Sequence, residues 1–237
     1  MRSRLPIATE GRDRLLSPHK GLILDRYLAD SPQDVGHAPA LRALTGYTSA
    51  HQPYKLAFER WKAVSESWPS KVLLLGTLRS RLALGLGIES VLEIGCRLHA
   101  TYGVPVIPAS SIKGALRSHL ESQSRFNTAA AFLFGSSEDA GFARVHDAWW
   151  VPDGEKSGLA LDVITVHHQS YYSGTSAPAG TESPIPVSFL TVTGKFYFTV
   201  QVPNPSWASF VSEALKDLLT NKGIGAKRSA GYGRFRF

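Results

Sequence analysis

The chain has a single cysteine, Cys96, among its 237 residues. It cannot close an internal disulfide, which fits a reducing compartment. It has no apolar run near the ~18 residues that a membrane-spanning helix needs. The first residues carry Arg2, Arg4, Arg12 and Arg14 with no apolar stretch behind them. That pattern reads as a basic arm, not a secretory signal. There is no His-Glu-x-x-His, no second cysteine to complete a zinc site, and no Gly-x-Ser-x-Gly nucleophile elbow. Acidic residues are missing altogether after Asp217. No internal repeat is detectable. These absences leave an ordinary globular chain with no motif for metal or serine chemistry.

What is present has a basic balance. Hydrophobic residues make up 43% and charged residues 19%, a globular composition. Lysine and arginine number 26 against 19 acids, giving +7 and a pI near 9.6. Such a surface attracts polyanions, with RNA or DNA the first candidates. The length suits one domain over 1–237 with sizeable insertions.

The stretch KGIGAKRSAGYGRFRF (Lys222–Phe237) concentrates this character, with four glycines and five basic residues. Gly223, Gly225, Gly231 and Gly233 permit close backbone approach, and Lys222, Lys227, Arg228, Arg234 and Arg236 supply counter-charge. Amide-lined glycine turns hold phosphate oxygens. Walker A is excluded because Arg228 follows Lys227 where serine or threonine is required. The dinucleotide fingerprint fails because Arg228 stands three residues after Gly225, and the loop lies between a helix and a strand. Backbone recognition of a nucleic acid remains, against a flexible basic turn.

A second anion-binding candidate is VIPASSIKGALRSHLES. Ser110 is the expected cap of a helix starting near Ser111. Ile112, Ala115, Leu116, His119 and Leu120 form its apolar stripe. Lys113 and Arg117 are four apart, near the free N–H groups and the two hydroxyls of the first turn. An ordinary capped helix with solvated cations is the other reading.

The rest supplies the frame. Residues 1–70 read as an extension with short helices at Lys20–Leu28 and 53–67, the latter with Leu56, Trp61 and Val64 near one side. Val72–Leu84 alternates like a strand. Val72, Leu74, Leu78, Leu82 and Leu84 fall on one face, and Thr77, Arg79 and Arg81 on the other, a groove wall or a solvated edge. Residues 123–140 read as a loop with a small apolar piece, and Gly141–Trp150 as a strand. Residues 152–186, rich in Gly, Ser, Thr and Pro, read as an inserted excursion carrying His167, His168, Tyr171 and Tyr172. Val187–Val202 reads as two strands joined by a turn at Thr193–Lys195. A helix follows, with Asn204 as cap and Pro205 at its first position. The order is α+β, a βαββαβ ferredoxin-like unit with insertions.

His19, His51, His119, His167 and His168 could support metal-independent RNA cleavage, but no spacing selects one, and His119 sits on a core stripe. A metal site is not supported: His167 and His168 are adjacent and would point apart on a strand.

Together, GVPVIPASSIKGALR (Gly103–Arg117), LDVITVHHQSYY (Leu161–Tyr172), PIPVSFLTVTGKFYF (Pro184–Phe198), GIGAKRSAGYGRF (Gly223–Phe235) and KGLILDRYL near the start carry a family likeness. Over residues 20–237 the chain resembles the RAMP superfamily of CRISPR proteins, and within it the family of sixth Cmr subunits of type III-B effector complexes. It departs from that pattern at Ala109, where the family usually has glycine, and at Arg228-Ser229-Ala230, where a threonine is common. The resemblance implies an RRM-like RAMP domain with a thumb-like insertion, placed in a cytoplasmic ribonucleoprotein beside backbone and head subunits of the same type. It implies contact with guide RNA (crRNA) near the 3′ end, and with target RNA. It implies neither catalysis, nor cofactor, nor metal. RNA contact carries over to Ser110, Ser111, Lys113, Arg117, Gly223, Gly225, Lys227, Arg228, Gly231 and Gly233. Arg79, Arg81, His167, Tyr171 and Tyr172 are further candidates for RNA, target or neighbour contact. Two other readings stay open: a metal-independent endoribonuclease that matures crRNA, and a protein-only adaptor.

Overall fold

The computed structural model describes residues 19–27, 37–88, 94–154, 156–166 and 185–237. Helices α1 (Lys20–Leu22), α2 (Ala38–Gly46) and α3 (Gln52–Glu66) come first, then strands β1 (Lys71–Leu78) and β2 (Val106–Ile107). Helices α4 (Ala109–Glu121) and α5 (Asn127–Phe134) follow, then β3 (Arg144–Val145), β4 (Ala148–Trp150), β5 (Leu159–Val166), β6 (Ile185–Val192) and β7 (Lys195–Gln201). Helix α6 (Pro205–Asp217) and β8 (Phe235–Arg236) complete the α-helices and strands among the described residues.

The main sheet runs β2-β4-β7-β1-β8, with β3 also on β7, and its paired neighbours are antiparallel. β7 is central because both its faces are covered: all of Phe196 to Val200 is buried. Phe196 and Phe198 meet Phe235 edge-on at 6.2 and 5.3 Å, on the side where α6 packs against β1. Tyr197 points the other way, to the ring of Phe58 at 6.0 Å and the Ser65 hydroxyl at 3.1 Å, so α3 covers that side. Helix α4 buries Ile112, Leu116, His119 and Leu120, and α6 buries Val211 and Leu215. Asn204 caps α6 as the sequence suggests, its Oδ1 accepting from Ser206 N–H at 3.1 Å.

Several expectations change. The stripe of α3 is Tyr54, Phe58 and Ser65, while Leu56 and Val64 are about half exposed at 51% and 52%. The aromatic rings win that face because they fit against Trp149 and Tyr197. α2 lies in the part of the extension between the two helices expected from the sequence; its two buried leucines, Leu41 and Leu44, are too short a pattern to register. α5 lies in a stretch read as a loop. The strand expected over Val72–Leu84 stops at Leu78, and the next residues serve as a junction: Leu82 bridges β6 at Val192, and Ala83 bridges Ala226. Gly141–Trp150 is two short strands with a break at His146–Asp147.

The turn at Thr193–Gly194 exists, with Gly194 at φ 106, but it does not close a hairpin. β6 pairs with β5 over eight residues in a separate two-stranded ribbon, and β7 enters the main sheet. Trp150 enforces the break: its indole N–H donates to Thr193 O at 2.9 Å and fills the space a Gly194 side chain would need. The 152–186 span therefore falls on β5, the start of β6 and residues 167–184, which lie outside the described residues.

Candidate nucleic-acid interface

The first turn of α4 is built differently from the expected serine cap. Pro108 is the N-cap residue, and no side chain of its own caps the helix. Instead Asp147, from the break between β3 and β4, accepts the Ala109 N–H at 2.6 Å. A carboxylate suits this end because it meets an orphan donor and the positive end of the helix dipole. The cap thus comes from a distant part of the chain and leaves Ser110 and Ser111 exposed. Ala109, the departure from the family's glycine, is helical and has no positive φ, so the turn needs no glycine there.

The glycine loop begins where α6 ends. A π-helical turn over Leu218–Lys222 closes at Gly223, whose φ is 77 and whose N–H donates to Leu218 O at 2.8 Å. The chain then doubles back on itself, with Ile224 N–H donating to Gly233 O at 3.0 Å. Gly225, at φ 87, lies so close to Ala83 that a Cβ would sit 2.6 Å from the Ala83 carbonyl. Lys227 adopts a left-handed φ of 56, and Arg228–Ala230 form a short 3-10 turn behind it.

These two pieces meet. A cleft of about 700 Å³ opens between α4, the glycine loop and the segment Ala83–Ile88. From α4 it receives Ser110, Ser111 and Ser118, and from the loop Gly225 and Arg228. Leu84, Ile88 and Ile224 give it apolar wall. Among the described residues, Arg97 and Arg228 are its charged lining residues, and no acid lines it. Two guanidiniums, serine hydroxyls and an apolar wall suit a phosphate with an unstacked base beside it.

The other candidate residues lie elsewhere. Lys113 sits two positions past Ser111, about 200° round the helix, and does not line the cleft. Arg117 is also off that face, and its Nε donates to Glu121 at 2.7 Å. Gly223 and Gly233 face each other within the loop, and Gly231 turns it at φ 88. Lys227 is exposed next to Arg228. Arg79 is exposed, held through its backbone N–H to Arg234 O at 2.8 Å. Arg81 does not present a free cation on a strand face, because it pairs with Asp162 at 3.1 Å. His167, Tyr171 and Tyr172 lie outside the described residues. Arg97 and the glycines of Gly85-Leu86-Gly87 escaped the sequence reading. Their signal was a second glycine pair, LGLG, lying between apolar residues.

Asp162 holds its carboxyl below the usual range. Burial works against this, but the Tyr232 hydroxyl, the Val163 N–H and the Arg81 guanidinium outweigh it. Burial and the same bond to Asp162 raise Tyr232.

His19, His51 and His119 have structural work. His19 Nδ1 accepts from Leu22 N–H at 3.1 Å, and His51 Nδ1 from Tyr54 N–H at 3.4 Å, so each caps a helix. His119 packs on the core stripe as expected, with Nε2 2.9 Å from Asp217 of α6. Burial lowers His99 and His146, against the pull of Asp147. Among the described residues no three metal-ligating side chains converge.

The sequence pattern of the RAMP superfamily matches residues 76–236, a span holding α4, the cleft and the glycine loop. The chain belongs to the RAMP superfamily. It is similar to the CRISPR system Cmr subunit Cmr6 of Pyrococcus furiosus, at 30% identity over 66% of this chain and 65% of that protein. It is also similar to the Cmr6 subunit of Saccharolobus solfataricus, at 30% identity over 67% of this chain and 55% of that one. The chain thus spans about two thirds or less of the length of these curated relatives. Among solved structures, it shares a fold with a chain of the type III-B Cmr-beta complex bound to cognate target RNA. That likeness has a TM-score of 0.68 and 23% identity, and covers 88% of this chain and 76% of the other. The RAMP fold is therefore a mixed α/β architecture around an antiparallel sheet, with the cleft at the end where α4 begins and α6 stops.

Proposed function

We propose that this chain is a non-catalytic crRNA-binding structural subunit of a type III-B CRISPR effector complex, seated toward the guide 3′ end and used in antiviral defence. The observation that carries the reading is the cleft, where the serines of α4, Gly225 of the terminal loop and Arg228 converge with Arg97. The relatives named as Cmr6 subunits support it. In this reading β8-β1-β7-β4, with α4 and α6, form the ferredoxin-like unit, because that order matches the βαββαβ topology. The β5–β6 ribbon roots the thumb, and residues 1–70 form the extension. Backbone and head subunits of the RAMP type flank it in the cytoplasm, and among the described residues no helix is long and apolar enough to cross a membrane. The guide's base pairing supplies target specificity, and this chain grips the guide backbone. Of the histidines considered for cleavage, His19 and His51 cap helices and His119 braces the core.

One experiment separates the readings: the full chain with a labelled guide-repeat RNA, chelator present, across a salt series. The expected result is binding that weakens steeply with salt and leaves the RNA intact. Specific cleavage in chelator would replace this reading with the endoribonuclease. No salt-dependent binding would replace it with the protein-only adaptor.

A further inference from the structure

The glycine loop does not stand alone. The segment Arg79–Leu84 lies between it and the ribbon, tied to the loop by Gly233 N–H to Arg81 O at 2.8 Å and Ala226 N–H to Ala83 O at 2.9 Å. The same segment is tied to β6 by the reciprocal pair between Leu82 and Val192, at 2.9 and 2.8 Å. Two side chains then converge on one acid of β5. The Tyr232 hydroxyl donates to Asp162 Oδ2 at 2.8 Å, and Arg81 Nη1 lies 3.1 Å from the same oxygen while donating to Leu161 O. The ring of Tyr232 rests near that of Phe189 on β6, at 6.4 Å. Tyr232 also closes the turn that displays the cations, its N–H donating to Lys227 O at 3.3 Å. Fixing Tyr232 therefore fixes the turn from Lys227 to Tyr232, and with it the place of Arg228 at the cleft.

We infer that Asp162 is a positioning residue: through Tyr232 it latches the cation-bearing turn of the glycine loop to the root of the ribbon, holding Arg228 ready for an RNA phosphate. The inference rests on the RNA-binding reading of the cleft. It explains why an acid stands beside a loop otherwise free of acids. An RNA-binding surface gains nothing electrostatically from Asp162, since a carboxylate repels phosphate. Its value lies in order, because a turn held in its binding conformation loses less freedom on association. Arg81 belongs to the latch as well, its charge spent on Asp162 rather than offered to RNA.

The sign of the effect makes the test sharp. Asp162→Ala removes a negative charge, so simple electrostatics predicts tighter RNA binding. The latch predicts the opposite: Asp162→Ala and Tyr232→Phe each weaken binding of a labelled oligouridylate by the full chain about threefold to tenfold, the range one lost hydrogen bond gives. Asp162→Asn keeps an acceptor for the Tyr232 hydroxyl and recovers part of the loss. The double variant Asp162→Ala with Tyr232→Phe binds no more weakly than the worse single, because both break one contact. Arg228→Ala serves as the control on the cleft. If Arg228→Ala weakens binding while Asp162→Ala and Tyr232→Phe match wild type or bind tighter, the latch is wrong and the cleft stands. If Arg228→Ala changes nothing, the cleft reading fails, and amide exchange then decides the latch without RNA. Amides of residues 227–232 should exchange faster in Tyr232→Phe, which keeps the ring and its packing. Unchanged exchange there overturns the inference.

Discussion

Lys20 is 1% exposed, and its ammonium reaches the Ser49 hydroxyl at 2.7 Å and both the Ser157 carbonyl and hydroxyl at 2.8 Å. It thereby pins α1 to the segment between α2 and α3 and to the chain before β5. Desolvation pulls its pKa from 10.5 down to about 7, against the opposing influence of the neighbouring Cys96. Burial in turn pushes the Cys96 thiol up to about 12. The linkage has a definite sign. Between pH 7 and 10.5 the unfolded chain holds a proton on Lys20 that the folded chain has released. Stability from this group therefore rises with pH across that window, and is lost as pH falls toward 7. The predicted outcome is that wild type gains stability over Lys20→Met between pH 7.5 and 9, with a slope approaching about 1.4 kcal/mol per pH unit. Urea unfolding of both proteins at several pH values measures it, and parallel curves would show that Lys20 keeps its proton in the fold.

At the scale of elements, α4 depends on an acid from elsewhere in the chain. Asp147→Ala should cost about 1 kcal/mol, the usual worth of a helix cap, seen as a lower urea midpoint with an unchanged m-value. Ser110→Ala should cost almost nothing in the same assay, which reverses what a local reading of the serines suggests. This contrast marks the limit of what a linear sequence can carry. The stripe of α4 and the Asn204 cap of α6 were legible because they rest on neighbours within a turn or two. The Asp147 cap was not, since it spans 38 positions along the chain. The same holds for the broken strand at Leu78. Its alternation continues to Leu84 because Leu82 and Leu84 are also buried, but beyond the strand, where Leu82 bridges the ribbon and Leu84 forms cleft wall. Cleft residues divide likewise. The glycine loop announced itself by composition, whereas Arg97 enters only because the fold returns it to Ser110 and Arg228.

For the whole molecule, the question is how a net charge of +7 divides between general attraction and specific grip. Long-range attraction depends on the total, while the salt slope counts phosphates contacted at close range. Two pairs of cations separate these effects. Arg97 and Arg228 line the cleft, while Lys113 and Arg117 occupy another face of α4, with Arg117 already paired to Glu121. Replacing either pair by alanine removes the same two positive charges, so the change in long-range attraction is matched. If the cleft grips the RNA backbone, the Arg97→Ala/Arg228→Ala variant should flatten the slope of log K against log salt by about 1.4, or 0.7 per single-strand phosphate. The Lys113→Ala/Arg117→Ala variant should lower affinity slightly and keep the wild-type slope. The reverse pattern would move the RNA path off the cleft and onto the outer face of α4. Equal changes in both variants would mean that RNA follows the basic surface as a whole, with no preferred groove.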